Sequence, residues 1–298
     1  MERLTYTAVI ATFERPEHLG RMLASLAEQT RLPERVIIVD SSRDQRTRLV
    51  AETMAHRLPI HYEVAEAAST AKQHNQGALL VTTPLAAFID DDTTLQRDVC
   101  EKLCAAFESD SGQQIGGVAA RLTGESRPVP RKLLWWYYRI QAGFAHPTYG
   151  GKLFGPAINC YPSYTEPATN DLIPGDWLNA TCVFYRTQAV LAEQFPDFTG
   201  YSVMEDVHLS ARIARSHKLF FHTTALFEHH DATSSWKRDF KEMARNRIRN
   251  HRRVAREILG FSGPGFELKL LLHRLFVTVY LLRRRGPGYR QEIAGTWF

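Results

Sequence analysis

The stretch PLAAFIDDD, residues 84–92, decides the fold that we predict for this chain. Its first six residues are a short apolar run bounded by a proline, which is typical of a buried strand. Asp90, Asp91 and Asp92 then mark the carboxyl end of the strand, where open α/β sheets bind ligands. Adjacent carboxylates repel one another unless a cation lies among them, and their oxygens suit Mg²⁺ or Mn²⁺. A solvated acidic turn is the alternative for the triplet taken alone.

Strand-like and helix-like segments alternate through the first half of the chain. The strands are short apolar runs, and the helices show helical spacing of apolar residues or a proline or serine at their start. We predict strands at 6–12, 35–40, 60–64 and 84–89, and helices at 15–30, 41–56, 69–80 and 95–107. This alternation predicts an α/β fold with a doubly wound, mostly parallel sheet flanked by helices.

The second half is less regular. Residues 143–175 are rich in Gly, Pro, Tyr and Asn, which predicts a long loop, and long loops usually serve in binding or as lids. The aromatic cluster at 135–138 is either buried core or an interfacial contact. The remaining predictions are strands at 180–185 and 219–223, a helix at 205–216, a basic helix at 236–259 and an apolar and basic helix at 266–285.

The composition is that of an ordinary globular protein, with 298 residues, 44% of them apolar and 23% charged. We find no run of about 18 uncharged apolar residues and no secretory signal, so we expect a cytoplasmic protein without a membrane span. The four scattered cysteines lack histidines at zinc spacing, which favours free thiols over a zinc site.

The charge is divided unevenly along the chain. Residues 1–235 carry 22 Lys and Arg against 27 Asp and Glu, whereas residues 236–298 carry 15 against 5. The basic character therefore belongs to the C-terminal segment, for which a membrane surface, a nucleic acid or a phosphorylated substrate are all open partners.

Several short segments, in this order, resemble motifs of the family 2 glycosyltransferases of GT-A fold. They are AVIATFERP at 8–16, IIVD at 37–40, STAKQHNQG at 69–77, the aspartate triplet in place of the family's DXD motif, MEDVHL at 204–209 and the pair His229-His230. The resemblance spans residues 5 to about 250. It implies a fold, a reaction and roles for individual residues.

On the donor side the resemblance implies a UDP- or dTDP-sugar bound with Mn²⁺ or Mg²⁺. Asp92 is the implied metal ligand, and Asp90 is a second ligand or, like Asp91, a contact to the ribose or a metal-bound water. Asp40 is the implied contact to the base or ribose. Further implied nucleotide contacts are Thr12, Glu14, Arg15, Lys72 and Asn75. For the last two, a solvated first helical turn is the alternative.

On the acceptor side the resemblance implies inverting transfer with an acidic pair as the general base. We assign the base to Asp206, with Glu205 orienting it or binding the acceptor. Acidic residues in a first helical turn are also stabilised by the helix dipole alone, which is the structural alternative. One imidazole of His229 or His230 completes the metal site, with a slight preference for His229, although both also suit a surface turn.

The domain organisation that we predict has a GT-A catalytic domain at 1–235 and a basic helical extension at 236–298. Within the catalytic domain, 1–125 is the nucleotide-binding half and 126–235 the acceptor half. The chain lacks the Gln-x-x-Arg-Trp motif of processive members, which favours single additions to a glycan or lipid-linked acceptor. The extension either packs on the catalytic domain or makes a peripheral contact with the cytoplasmic face of a membrane.

Three rival functions remain open from the sequence. An arginine-rich helix in a nucleic-acid groove explains the C-terminal segment but leaves the acidic sheet edge without a purpose, so we expect no nucleic acid. A nucleotidyltransferase also uses a nucleotide and Mg²⁺, but no glycine-rich phosphate loop occurs near residue 10. The third rival is a sugar-nucleotide binder without turnover.

Overall fold

The computed structural model describes residues 3–125, 129–164, 171–198, 203–230 and 239–298. Its strands are β1 Tyr6–Thr12, β2 Arg35–Asp40, β3 Ile60–Val64, β4 Leu85–Ile89, β5 Thr93–Leu95, β6 Ile115–Leu122, β7 Leu153–Phe154, β8 Ile158–Asn159, β9 Leu172–Gly175, β10 Cys182–Arg186 and β11 Lys218–His229. Its helices are α1 Pro16–Ala27, α2 Arg46–Met54, α3 Thr70–Ala78, α4 Val99–Glu108, α5 Lys132–Ala142, α6 Thr187–Glu193, α7 Glu205–Ile213, α8 Phe240–Glu257, α9 Gly263–Arg284 and α10 Tyr289–Trp297.

One large sheet organises the fold, with strands in the order β3-β2-β1-β4-β10-β6-β11-β5 and with β9 paired to β11. β1 to β4 run parallel, and the antiparallel β10 separates them from β6 and β11, which run in the same direction as β4. The predicted α/β class, with a mostly parallel sheet flanked by helices, is confirmed. The carboxyl ends of β1, β2, β4 and β11 consequently share one edge of the sheet.

Both faces of the sheet are buried, which is why its central strands are continuous apolar runs. Successive residues of each strand point to opposite faces, so Val9 and Phe88 join one buried cluster while Ile10 and Ile89 join the other. α1 and α4 cover the second face, and α3 and α7 cover the first.

Gly77 explains how closely α3 approaches the sheet. A Cβ atom built on Gly77 would lie 2.4 Å from Cγ1 of Val9 and 3.2 Å from Cγ2 of Val39. Only glycine fits where the helix crosses β1 and β2, so this glycine of the STAKQHNQG segment has a packing role.

Several elements differ from the sequence prediction. The predicted loop at 143–175 contains the β7–β8 hairpin and β9. The helix predicted at 95–107 begins only at Val99, after β5, and β11 extends well past the strand predicted at 219–223. β6 was missed because Gly116-Gly117 interrupts its apolar pattern. Gly117 is required there, since its Cβ would lie 2.6 Å from the Tyr185 ring.

The C-terminal helices pack on the sheet domain. Val254 and Ala255 of α8 and Phe266 of α9 belong to the same buried cluster as Val207 of α7. Two predicted stretches, 165–170 of the loop and 236–238 of the basic helix, lie outside the described residues. Among the residues that the structure describes, no helix is both long and apolar enough to cross a bilayer.

Candidate active site

A cavity of about 550 Å³ opens at the shared carboxyl edge of the sheet. It is lined by eight of the residues that the sequence singled out, namely Thr12, Arg15, Asp90, Asp91, Asp92, Glu205, Asp206 and His229. The other five, Glu14, Asp40, Lys72, Asn75 and His230, are not among the residues that line it. Residues predicted to bind the donor and residues predicted to act on the acceptor therefore line the same cavity.

The aspartate triplet is held at the edge by backbone hydrogen bonds. The Asp90 N–H donates to the Thr181 carbonyl next to β10 at 3.0 Å, and the His230 N–H donates to the Asp92 carbonyl at 2.9 Å. The Thr93 hydroxyl donates to the Asp90 carbonyl at 2.9 Å. The triplet is thus fixed by the strands that follow much later in the chain.

Asp91 is tied to the loop after β1. The Thr12 hydroxyl donates to Asp91 Oδ2 at 2.7 Å, and Arg15 Nη1 donates to Asp91 Oδ1 at 3.0 Å. Burial raises the pKa of Asp91, while the Arg15 guanidinium and the Thr12 hydroxyl act in the opposite direction. With both oxygens engaged and only 3% of its surface exposed, Asp91 connects β1 to β4.

Asp90, Asp92 and His229 form a group that could hold a metal ion, since one ligand atom from each lies within 4.8 Å of the others. His229 Nε2 lies 3.0 Å from Asp92 Oδ1. Burial, followed by the charge of Asp92, raises the pKa of Asp90 to about 7. The carboxylate oxygens suit Mn²⁺ or Mg²⁺, and a bound cation would relieve the repulsion between Asp90 and Asp92.

His230 has a different environment from His229. Its Nε2 lies 2.8 Å from the Thr94 hydroxyl. β11 pairs with β5 so that His229 is opposite Thr93. Successive residues point to opposite faces, and this register turns His229 toward the aspartates.

Asp40 and Glu14 lie beside the cavity. The Asp40 carboxylate accepts hydrogen bonds from the Tyr62 hydroxyl at 2.6 Å and the Ser42 N–H at 2.8 Å, and only 2% of its surface is exposed. Glu14 has a left-handed backbone with φ of 52°, and its N–H donates to the Ser42 hydroxyl at 2.7 Å. Both residues therefore stabilise the contact between the loop after β1 and the loop after β2.

Lys72 and Asn75 lie on the face of α3 that meets the segment after α6. The Asn75 amide makes two hydrogen bonds of 2.8 Å with the backbone of Phe195, and Lys72 Nζ lies 3.2 Å from Asp197 Oδ2. The helix presents Gln73 and His74 to the cavity instead. Gln73 donates to the Thr12 carbonyl at the end of β1 and to the Val39 carbonyl near the end of β2.

The acidic pair begins α7 at the side of the cavity where we predict that the acceptor binds, which we call the acceptor side. Met204, the residue before it, has a left-handed backbone with φ of 77°, which turns the chain into the helix. The Asp206 carboxylate accepts the Val207 N–H at 2.7 Å. Burial raises the pKa of Asp206 to about 6, against the lowering effect of N–H donation from Val207 and Ala180. Asp206 is therefore a stronger base than an ordinary aspartate.

Sequence reasoning missed several residues that line the acceptor side, namely Asn159, Tyr161, Trp177, Arg247 and His251. Arg247 and His251 are one helical turn apart on α8, and that i, i+4 spacing was the available signal. The abundance of arginine in the helix concealed it. Burial lowers the pKa of His251 to about 4, so its imidazole is neutral at pH 7.

Comparison with known proteins identifies the class. The family model for glycosyl transferase family 2 matches residues 7–160, more than half of the chain. The chain belongs to this family and is a glycosyltransferase. A search of curated protein sequences finds no match to it.

Solved structures share the fold. Mannosyltransferase PcManGT from Pyrobaculum calidifontis, in complex with GDP-Man and Mn²⁺, is 15% identical with a TM-score of 0.59, over 99% of this chain and 74% of that one. S. aureus TarS is 18% identical with a TM-score of 0.54, and the match covers 93% of this chain and 44% of that one. The S. aureus TarS fragment 1–349 in complex with UDP is 16% identical with a TM-score of 0.52, and the match covers 98% of this chain and 89% of that one.

Proposed function

We propose that this glycosyltransferase moves a sugar from a nucleoside-diphosphate sugar to an acceptor hydroxyl, with inversion and with Mn²⁺ or Mg²⁺ as cofactor. The observation that carries the proposal is that Asp90, Asp92 and His229 share one cavity with Asp206. The first three residues suit a divalent cation beside a diphosphate. The fourth is a carboxylate with a raised pKa, contributed by a different element of the fold.

The donor in this proposal is a UDP- or dTDP-sugar that carries a hexosyl or deoxyhexosyl group. A volume of about 550 Å³ is within the range of ligand cavities. Hydroxyl side chains of Ser69 and Thr70 line it near the aspartates and can bond ribose or phosphate oxygens. The complexes of PcManGT with GDP-Man and of TarS with UDP support a ligand of this chemical class.

Asp90, Asp92 and His229 are the residues that would hold the cation. A cation bound there supplies positive charge to the diphosphate as negative charge develops on it. Asp91 has a positioning role, because its contacts with Thr12 and Arg15 fix the β1 loop against the triplet. Arg15, whose Nη1 also lies 3.4 Å from Asp92 Oδ2, keeps a further positive charge at the donor side.

Transfer in this proposal is a single displacement. The acceptor oxygen attacks the anomeric carbon from the face opposite the diphosphate, Asp206 takes the hydroxyl proton, and the bond from the anomeric carbon to the diphosphate oxygen breaks. The raised pKa of Asp206 makes it a better proton acceptor than an ordinary aspartate. Glu205, adjacent to it in the first turn of α7, orients it or binds the acceptor.

The acceptor in this proposal is a glycan or a lipid-linked saccharide, in the synthesis of a polysaccharide, glycolipid or cell-surface glycan at the cytoplasmic face of a membrane. A nucleic-acid ligand gains no support from α8. Arg252 and Arg256 both contact Glu267, and Arg253 pairs with Glu257. These pairs neutralise part of the arginine stripe, so we propose no second function.

The test measures nucleotide binding and nucleoside diphosphate release with a panel of sugar nucleotides, with Mn²⁺ and after chelation. We expect binding and release that depend on the metal, and Asp92→Ala should abolish metal-dependent nucleotide binding. Asp44→Ala is the matched control, because Asp44 is an exposed loop carboxylate paired with Arg46. Metal-dependent binding that survives in Asp92→Ala would refute the site assignment.

A further inference from the structure

Two helices of this protein expose apolar stripes. On α9, Leu268, Leu271, Leu275, Val279 and Leu282 recur every three or four residues, and all are at least 43% exposed. On α5, Leu133, Trp136 and Ile140 have the same spacing, with exposures of 84%, 46% and 57%. Residues three or four apart lie on one side of a helix, so each set is a continuous apolar line on the surface.

The two helices pack against each other in antiparallel orientation. The rings of Tyr137 and Phe276 stack with centroids 4.1 Å apart, and the Tyr137 hydroxyl lies 2.8 Å from His273 Nδ1. Further along α5, and therefore earlier along α9, Gln141 donates to the Lys269 carbonyl at 3.0 Å. Each residue advances a helix by about 100°, so on each helix the apolar stripe lies to one side of the residues that contact the other helix. The rotation from contact to stripe has the same sense on both helices. Because the helices are antiparallel, both stripes therefore lie on the same side of the contact between them. We call the combined surface the α5–α9 face.

Positive charge is concentrated at one end of the α5–α9 face. The antiparallel packing brings the start of α5, with Arg131 and Lys132, to the same end as Arg283, Arg284 and Arg285 at the end of α9. All five side chains are exposed. The sequence of α5 has no acidic residue, and the one acid of α9, Glu267, contacts Arg252 and Arg256 of α8.

We propose that the α5–α9 face docks on an anionic lipid bilayer, with the two stripes in the interface and the five cations against the headgroups. Apolar surface combined with basic residues is the pattern of interfacial membrane binding, where lipid burial and attraction to anionic headgroups add together. Trp136 suits this position, because its amphipathic ring favours the headgroup level. A large apolar patch on the surface of a protein also marks a site of interaction with a partner or a membrane.

The face lies one helix away from the cavity. His273 on the buried side of α9 packs on His251 of α8, with ring centroids 5.2 Å apart, and His251 lines the acceptor side. An acceptor anchored in the same membrane would therefore be near the base. This last step rests on the proposed transferase function, whereas the docking itself does not.

The test is co-sedimentation of the full chain with phosphatidylcholine vesicles, with and without phosphatidylglycerol. We expect binding to the anionic vesicles that weakens as salt rises. The double variants Leu133→Glu with Leu275→Glu and Arg283→Glu with Arg284→Glu should each weaken it about tenfold or more. Leu49→Glu and Leu79→Glu are matched controls, since both leucines are exposed but lie on α2 and after α3. The controls should bind as the wild type does.

Three results would overturn the proposal. The wild type could fail to bind anionic vesicles, or both face variants could bind as tightly as the wild type. Light scattering could also show a stable dimer that the Leu133→Glu and Leu275→Glu double variant dissociates, in which case the face joins two copies of this chain. Nucleotide binding measured on the same variants separates this outcome from failure of the transferase proposal, because none of the substituted residues lines the cavity.

Discussion

The two sides of the active-site cavity hold their carboxylates in different ways. On the donor side the strand ends bring cationic and hydroxyl partners to the acids, so that Asp91 is bonded to Thr12 and Arg15 and Asp92 contacts His229. On the acceptor side the Asp206 carboxylate accepts hydrogen bonds from backbone N–H groups, those of Val207 in α7 and of Ala180 before β10. Asp91 and Asp92 thus have side-chain partners from other elements, whereas Asp206 has backbone N–H partners.

The largest effect that this comparison predicts is on the chemical step. Asp206→Asn keeps the size of the side chain but removes the proton acceptor, and general bases contribute about 10²- to 10⁴-fold to rate. We expect transfer to fall by that factor while donor affinity changes little. Steady-state kinetics and calorimetric titration of the donor measure the two quantities separately.

Asp176→Asn is the control for this change. Asp176 lies on the same half of the molecule, but it pairs with Lys152 and does not line the cavity. Full transfer activity in Asp206→Asn would remove the base assignment, and equal losses in both variants would indicate damage to the fold.

The next effect tests the donor side with two neighbouring histidines. His229→Gln should weaken Mn²⁺-dependent nucleotide binding at least about tenfold, because an imidazole of the metal group is removed. His230→Gln should leave binding almost unchanged, since His230 contacts Thr94 instead. Titration of nucleotide at several Mn²⁺ concentrations compares the pair directly. A larger loss in His230→Gln than in His229→Gln would show that His230 is the metal ligand.

A third effect concerns the scaffold beneath the donor side. Gly77→Ala forces a methyl group against Val9 of β1, and overpacking of this kind costs about 1 to 3 kcal/mol of unfolding free energy. Gly20→Ala is the matched control, because its Cβ would meet Val50 at an ordinary 3.5 Å within α1. There we expect stabilisation of up to about 1 kcal/mol. Urea unfolding of both variants checks the opposite signs.

The contrast between the two sides also explains what the sequence could predict. The strands β1, β2 and β4 are apolar runs that end in polar residues, and their order along the chain sufficed to bring Asp90 and Asp92 to the sheet edge. The acceptor side depends on contacts between distant segments. Trp177 follows an irregular stretch, and Arg247 is one of many arginines in α8. No local pattern marks Trp177 as a cavity residue, and the i, i+4 spacing of Arg247 with His251 does not distinguish Arg247 from the neighbouring arginines.

The choice between His229 and His230 shows the same limit within two residues. Both have the chemistry of a metal ligand, and the sequence leaves either one open. The pairing of His229 with Thr93 across β11 and β5 determines which imidazole faces the aspartates. A shift of register by one residue would exchange them, and register is not visible in a single sequence.

The smallest effect concerns a feature that the two sides have in common, a buried neutral histidine. His74 on the donor side lies between Phe88 and Phe195, and neither ring nitrogen has a hydrogen-bond partner among the described residues. Burial lowers the pKa of His74 to about 4. The unfolded chain therefore takes up a proton near pH 6.5 that the folded chain does not, so the stability falls as the pH falls below 6.5.

This linkage predicts a difference between the wild type and His74→Leu. Lowering the pH from 7.5 to 5.5 should cost the wild type about 1.4 kcal/mol through His74 alone, and the variant should be spared that loss because leucine does not titrate. At pH 7.5 the variant should be at least as stable as the wild type, since it removes an unpaired buried polar group. Denaturant unfolding at the two pH values gives both quantities. Equal losses in the two proteins would mean that His74 acquires a proton in the folded state, and the donor side would then carry a further positive charge next to the nucleotide.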